Sequence, residues 1–339
     1  MKRFRFLLFP FSVFYGFVTG MRNYLYDRGW WESRLYKTPL VCVGNLSTGG
    51  TGKSPMIQYL LSFLLNDFTV AVLSRGYKRK TSGYLEVAMN STVEEVGDEP
   101  LQIKQNFPNV TVAVCADRRT GVEKLEPSAD VILLDDAFQH RKVRPSTSIL
   151  LTSYSNLYLD DYLLPAGNLR ESRLGAERAD VILVTKCPEG VSYAKQQEIQ
   201  FRMQLKPYQK LYFTRIGYDS FIYGKTETLS LEYLLDKPFT LVTGIANPKP
   251  LVDFLERKGY VFEHEKFSDH HDFSASEVKK LQKNDIILTT EKDYMRLQPK
   301  LQKFALYYLP IKTIFLNEQE SFFQEFIRKQ IRNTLKETP

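Results

Sequence analysis

The chain has 339 residues, 43% of them apolar and 25% charged, which gives room for two globular domains with sizeable cores. Its 46 Lys and Arg exceed its 39 Asp and Glu, for a net charge of +7, and this favours an anionic partner: a nucleotide, a nucleic acid or an acidic membrane surface. Cys42, Cys115 and Cys187 stand apart in apolar runs, which excludes the paired spacing of metal and redox motifs and fits buried free thiols in a reducing cytosol.

At the N-terminus Lys2, Arg3 and Arg5 precede an uncharged run over 6–20, and Arg22 follows it. A bilayer span needs about 20 apolar residues; this run is shorter and is broken by Pro10, Gly16 and Gly20. No small-residue cleavage site follows, so it does not read as a secretory signal. Surface attachment is the expectation, with the cations at anionic headgroups, Phe6, Leu7, Leu8, Phe11, Phe14 and Tyr15 in the interface, and Trp30-Trp31 as an aromatic anchor. The alternative is a first helix packed on its own core.

The next segment carries the strongest signal. An apolar strand over 39–43 runs into Ser47-Thr48-Gly49-Gly50-Thr51-Gly52-Lys53-Ser54, and from Met56 apolar residues recur at helical spacing. Glycines between a strand and a helix let backbone N–H groups converge on phosphate oxygens. The helix start adds its positive dipole end, Lys53 bridges the terminal phosphates, and Ser54 offers Mg²⁺ a hydroxyl. The strict motif has Gly where Ser47 stands, so this is a variant.

Strands are expected over 40–43, 69–73, 110–115, 131–134, 148–151, 181–185 and 211–214, alternating with helical or loop segments. That rhythm predicts an α/β fold: a phosphate-loop, mostly parallel sheet with helices on both faces. Several strands end in polar residues, among them Ser74-Arg75, Ala116-Asp117 and Asp135-Asp136, and ligands in such sheets bind beyond the strands' carboxyl ends. Around 217–234 a linker or small β hairpin is expected. A second, smaller α/β unit then begins with strands over 239–243, 285–289 and 305–309. A terminal helix follows within 318–336, with Phe322, Phe323, Phe326 and Ile327 inward. The expected division is a nucleotide domain over 1–223 and a second domain over 224–339.

Four groups of residues are candidates for chemistry. Asp135 and Asp136 cap an apolar strand in the manner of a Walker B element, where one carboxylate organises Mg²⁺ directly or through water. In Gly97-Asp98-Glu99-Pro100, Asp98 is either a helix cap or, with Glu99, faces the phosphates, where a carboxylate orients a histidine, ligates metal or accepts a proton. His270 and His271 lie in a polar island, either as surface residues or as a base for a sugar hydroxyl; a metal site there lacks a third ligand at recognisable spacing. Arg75, Arg118 and Arg119 follow strands and are either a solvated face or phosphate ligands. No nucleic-acid fold signature accompanies them.

Eight ordered blocks carry a resemblance. They are Gly49-Gly50-Thr51-Gly52-Lys53-Ser54-Pro55, Leu73-Ser74-Arg75-Gly76-Tyr77, Gly97-Asp98-Glu99-Pro100, Asp135-Asp136-Ala137-Phe138-Gln139-His140, Leu164-Pro165-Ala166-Gly167-Asn168-Leu169-Arg170-Glu171, Thr243-Gly244-Ile245-Ala246-Asn247-Pro248, Asp269-His270-His271 and Thr290-Glu291-Lys292-Asp293. Together the chain resembles the tetraacyldisaccharide 4′-kinase (lipid A 4′-kinase) family. The resemblance implies Mg²⁺- and ATP-dependent phosphorylation of the 4′-hydroxyl of an acylated glucosamine disaccharide 1-phosphate. It places that reaction on the cytoplasmic face of a Gram-negative inner membrane; peripheral attachment is expected from the N-terminal run, and a monomer whose two domains approach would suffice. It further implies an Asp98–His270 dyad that activates the hydroxyl, metal and phosphate positions at Ser54, Glu99 and Asp135 or Asp136, and Arg170 as a substrate contact. Ala137 stands where the family usually has Gly, and Ser54 where Thr is commoner. The rival readings are a membrane-associated nucleotide switch and a non-catalytic membrane adaptor. For a GTPase, Thr185-Lys186-Cys187-Pro188 places Pro188 where a base-reading aspartate is needed.

Overall fold

The computed structural model describes residues 5–269, 271–301 and 304–337. Short apolar runs, buried on both faces, form the centre of the larger sheet, as parallel strands require. In chain order its strands are β1 (Leu40–Asn45), β2 (Val70–Ser74), β3 (Leu85–Glu86), β4 (Thr111–Val114), β5 (Val131–Asp135), β6 (Thr147–Ser153), β7 (Val181–Thr185) and β8 (Lys210–Tyr218). The second sheet contains β9 (Phe221–Tyr223), β10 (Thr228–Ser230), β11 (Phe239–Thr243), β12 (Phe262–Lys266), β13 (Ile286–Thr290) and β14 (Ala305–Leu309). The chain then returns to the first sheet with β15 (Ile311–Phe315). The spatial orders are β15-β8-β7-β6-β1-β5-β2-β4-β3 and β10-β9-β14-β13-β11-β12.

Alternation along β1 divides the first core in two. Val41 and Val43 face one layer, with Ile57, Leu60 and Leu61 of the helix Lys53–Leu64; Leu40 and Cys42 face the other, with Val122 and Leu125 of the helix Arg118–Leu125. The α/β fold with helices on both faces is therefore as the sequence indicates, and the three thiols are buried and free. The register sets Asp135 of β5 beside Val43 of β1, while Leu73 of β2 flanks Leu134. The carboxyl ends of β1, β2 and β5 thus share one crevice.

Beyond residue 310 the sheets depart from the expected division. β15 pairs antiparallel with β8, and the terminal helix Glu320–Glu337 lays Phe323, Ile327 and Ile331 on the Lys53 helix layer of the first core. Residues 311–337 therefore belong physically to the first unit rather than to a 224–339 domain. Phe322, expected inward, points to solvent. The expected hairpin exists as β9–β10, joined to the second sheet through β14.

The N-terminal helix Phe9–Asp27 is inside out for a soluble domain. Ser12 is 3% exposed while Phe14 is 70% exposed, with Phe11, Val13 and Phe17 beside it in solvent. Its polar face is hooked to the 163–171 segment: Ser12 Oγ donates to the Leu163 carbonyl (3.0 Å), Tyr15 Oη to the Arg170 carbonyl (2.8 Å) and Asn23 Nδ2 to Glu171 Oε2 (2.7 Å). No helix among the described residues is long and apolar enough to cross a membrane.

The return of the C-terminus has a measurable consequence. Phe323 is fully buried against the rings of Tyr212 (5.4 Å), Tyr59 (6.0 Å) and Phe315 (4.8 Å). Phe323→Ala should cost about 3–5 kcal/mol, read as a lowered denaturation midpoint of the first unit. A loss below about 1 kcal/mol, typical of surface changes, would mean that the terminal helix is only appended.

Candidate active site

The glycine loop leaves β1 and enters its helix at Lys53, with Gly49 at φ +126° and Gly52 at φ +94°. Side chains rarely adopt such values, so these two positions need glycine. Ser47 does not: it forms a β-bridge with Leu169. The loop is braced from three sides. Asn45 Nδ2 donates to Thr51 Oγ1 (2.9 Å), Thr185 Oγ1 to the Thr51 carbonyl (2.7 Å) and Lys186 Nζ to the Gly50 carbonyl (2.6 Å). From the 163–171 segment, the Asn168 carbonyl accepts from Thr48 N (2.7 Å) and Arg170 N donates to the Leu46 carbonyl (2.7 Å). Thr185 and Lys186, which a GTPase reading would place near a base, here support the loop.

Asp135 and Asp136 are adjacent yet electrostatically opposite. Asp135 is sealed at the strand end, with Oδ2 accepting from Ser74 Oγ (3.0 Å) and Oδ1 without a hydrogen-bond partner. Burial, reinforced by the Glu99 charge, pushes its carboxyl up to about 6. Asp136 turns outward at φ +47°. Burial would raise it too, but the Lys53 ammonium (3.5 Å) and the Arg170 guanidinium (2.9 Å) outweigh that and hold it below the usual carboxylate range. The positive φ falls on Asp136 and not on Ala137, so alanine there carries no backbone strain.

Asp98 opens the helix Asp98–Asn106, and its partner comes from the second sheet. Arg296 Nη2 donates to Asp98 Oδ2 (2.6 Å), and Lys292 pairs with Glu99. Burial works against the Lys292 charge, but Glu99 prevails and raises its pKa. Both cations lie on the helix Glu291–Leu297 that follows β13. The Thr290-Glu291-Lys292-Asp293 block carried no individual role in the sequence; its pairing with Asp98-Glu99 spans about half the chain and leaves no local pattern. The N-cap of this helix is Gly97, so Asp98 is not the cap that its sequence position suggests, and its carboxylate pairs across the chain instead.

The remaining candidates separate. Arg170 is at the site, bound to Asp136. Arg75 is exposed at the end of β2, and its charge reaches Arg118 and His140. Arg118, expected either on a solvated face or as a phosphate ligand, is 1% exposed and spends its guanidinium on the carbonyls of Cys115 and Asp135; it knits strand ends together instead. His140, not assigned from sequence, is pushed down to about 4 by burial and by Arg118 and Arg75, so it is neutral near pH 7. His270 lies outside the described residues. His271 is engaged elsewhere, with Nε2 at 3.0 Å from Glu277 and its ring stacked on Phe267.

A loop of this build at the carboxyl end of a parallel sheet defines a phosphate-loop nucleotide enzyme. A family model described as tetraacyldisaccharide-1-P 4′-kinase (LpxK) matches residues 4–332, and the chain belongs to that family. It is 47% identical over 328 residues to the tetraacyldisaccharide 4′-kinase of Flavobacterium johnsoniae, covering 95% of this chain and 96% of that protein. To the enzyme of the same name from Phocaeicola vulgatus it is 41% identical over 353 residues, covering 96% of each. Among solved structures it resembles the "apo" form of LpxK from Aquifex aeolicus in complex with ATP. The TM-score is 0.78 and the identity 32%, over 97% of this chain and 99% of that one.

Asp135 gives the site a pH signature. Its carboxyl titrates near 6 in the fold against an ordinary 3.8, so the folded state holds this proton more tightly. Its contribution to stability is full below pH 3.8 and is lost as the pH rises through about 6. Asp135→Asn removes that loss. In nucleotide-free, chelator-treated protein the variant should melt above wild type at pH 7.5, with the gap closing toward pH 4.5. A gap independent of pH would show that burial does not perturb this carboxyl.

Proposed function

We propose that the protein transfers the γ-phosphoryl group of ATP to the 4′-hydroxyl of an acylated glucosamine disaccharide 1-phosphate. The observation that carries this reading is the meeting of the Lys53 loop, the Asp135-Asp136 strand end and the Asp98-Glu99 pair in one crevice, in a chain of this kinase family. The relatives' names supply the substrate. A nucleotide switch accounts for the loop but not for that kinship, and an adaptor accounts for neither.

In this mechanism the triphosphate lies against the amides of Gly49, Gly50, Thr51 and Gly52, with Ser47 and Thr48 at the entry. Lys53 leaves Asp136 for the phosphates, where its charge counts most as the β–γ bridging bond breaks. Mg²⁺ with a nucleotide takes one or two carboxylates plus phosphate oxygens. Ser54, Asp135 and Glu99, with Asp136 nearby, fit that role, since Asp135 Oδ1 is buried with a vacant acceptor position. The ion would neutralise charge on the transferred group. Asp98 orients His270, which takes the proton of the 4′-hydroxyl as its oxygen attacks the γ-phosphorus in line and ADP departs. The engagement of His271 by Glu277 supports His270 for this part. Arg170 and Arg75 would meet the anionic acceptor. One copy of the chain carries every group named.

The apolar outer face of the Phe9–Asp27 helix supports a peripheral position on a membrane, and the acyl substrate fits the cytoplasmic face of the inner membrane in a Gram-negative cell. Leu7, Phe11, Phe14 and Phe17 would enter the lipid, while Arg5 is tied back to the Pro165 carbonyl (3.1 Å) and Asn168 Oδ1 (3.0 Å).

Incubation with labelled ATP and a lipid A disaccharide precursor in micelles should label the lipid. An unlabelled lipid at every magnesium concentration would refute the assignment. Asp98→Asn and His270→Ala should each slow transfer about 10²–10⁴-fold while a fluorescent ATP analogue still binds. Wild-type rates in both would remove the dyad but leave the kinase. For the membrane, burying each Phe is worth about 1.5–3 kcal/mol, so Phe14→Glu with Phe17→Glu should weaken co-sedimentation with anionic vesicles roughly tenfold or more. Unchanged sedimentation would remove this helix as the anchor.

A further inference from the structure

We infer that Arg296 is a positioning residue for phosphoryl transfer, fixing the orientation of the Asp98 carboxylate from the second sheet; this rests on the reading of Asp98 as part of the hydroxyl-activating dyad. Asp98 has two oxygens to control. Oδ1 accepts from the Glu99 amide (3.0 Å), and Oδ2 accepts from Arg296 Nη2 (2.6 Å). A carboxylate held at both oxygens by a backbone amide and a guanidinium has little rotational freedom, which is what a group orienting an imidazole requires.

Arg296 is itself anchored. Its Nη1 lies 3.4 Å from Asp293 Oδ1, and Asp293 is fully buried. Asp293 Oδ2 accepts from the Gly244 amide (2.8 Å) and from Thr290 Oγ1 (2.7 Å). Gly244 follows β11, and a Cβ there would stand 2.9 Å from Asp293 Oδ1 and 3.3 Å from the Ser268 carbonyl. Ser268 precedes His270 by two residues in the chain. Hydrogen bonds therefore run from Asp98 through Arg296 and Asp293 to Gly244, and the neighbouring Thr243 carbonyl accepts from Phe267 N (2.7 Å), on the backbone that leads into the histidine block. Two blocks that the mechanism left without a role, Thr243-Gly244 and Thr290-Glu291-Lys292-Asp293, supply these bonds.

The residue type matters. A guanidinium is a planar fork that addresses two carboxylates at fixed angles, whereas an ammonium is a point charge on a flexible stem. The side chains of Arg296 and Asp98 are each nearly nine-tenths shielded from solvent. Two shielded carboxylates on one cation are a poor source of stability, since desolvation offsets the attraction. Such an arrangement serves placement better than adhesion.

The test uses the full chain and the glycolipid transfer assay, with kcat and the KM for ATP measured for Asp98→Asn, Arg296→Ala, Arg296→Lys and the double variant Asp98→Asn/Arg296→Ala, each checked by its melting curve. Arg296→Ala should lower kcat about 10²-fold with the KM for ATP nearly unchanged, and Arg296→Lys should recover part of the loss. Because Arg296 acts through Asp98, the double variant should be no slower than Asp98→Asn alone. Should Arg296→Ala not fold, Arg296→Lys alone and combined with Asp98→Asn carries the same comparison. The inference is overturned if folded Arg296 variants keep wild-type kcat while Asp98→Asn is crippled, or if the losses multiply in the double variant. A wild-type kcat for Asp98→Asn instead removes the dyad reading beneath it, a different and separately visible result.

Discussion

The Asp136 carboxylate, held between Lys53 and Arg170, is the contact on which the site depends. Lys53 belongs to the glycine loop and its helix; Arg170 belongs to the segment that bridges Ser47 through Leu169 and hooks the N-terminal helix through Tyr15. One anionic group thus joins the loop to the element that carries the apolar outer helix. In the proposed mechanism a triphosphate competes with this carboxylate for Lys53.

The neighbouring carboxylate shows how placement, not residue type, sets chemistry. Asp135 ends its strand inside the sheet and is costly to ionise; Asp136, one residue on, turns through a left-handed φ toward two cations and is hard to protonate. Two adjacent aspartates thus have pKa values driven apart by their surroundings alone. Gly44 contributes to this placement. A Cβ on it would lie 2.5 Å from the Phe138 Cβ, so glycine lets the chain after Asp136 pack directly on β1.

Much of this was legible in the sequence, for physical reasons. Central parallel strands are apolar on both faces, so 40–43, 131–134 and 181–185 announce themselves, and the glycine loop follows from its spacing. The edges do not announce themselves. β12 reads Phe262-Glu263-His264-Glu265-Lys266, with charges expected of an exposed edge, and β15 returns to the first sheet by antiparallel pairing with a strand far back in the chain. Long-range pairing hid the Arg296–Asp98 and Lys292–Glu99 contacts for the same reason. Arg118 misled because a charged residue after a strand usually faces water, whereas here two backbone carbonyls take it inside. The helical N-terminal segment was visible, but its orientation, polar face inward, depends on the carbonyls of Leu163 and Arg170.

The decisive observation is a crystal structure of the protein with magnesium and a non-hydrolysable ATP analogue. The triphosphate should lie along the amides of residues 49–54, with Lys53 Nζ withdrawn from Asp136 and within hydrogen-bond distance of the terminal phosphates. An analogue seated elsewhere, with Lys53 still 3.5 Å from Asp136, would contradict this placement.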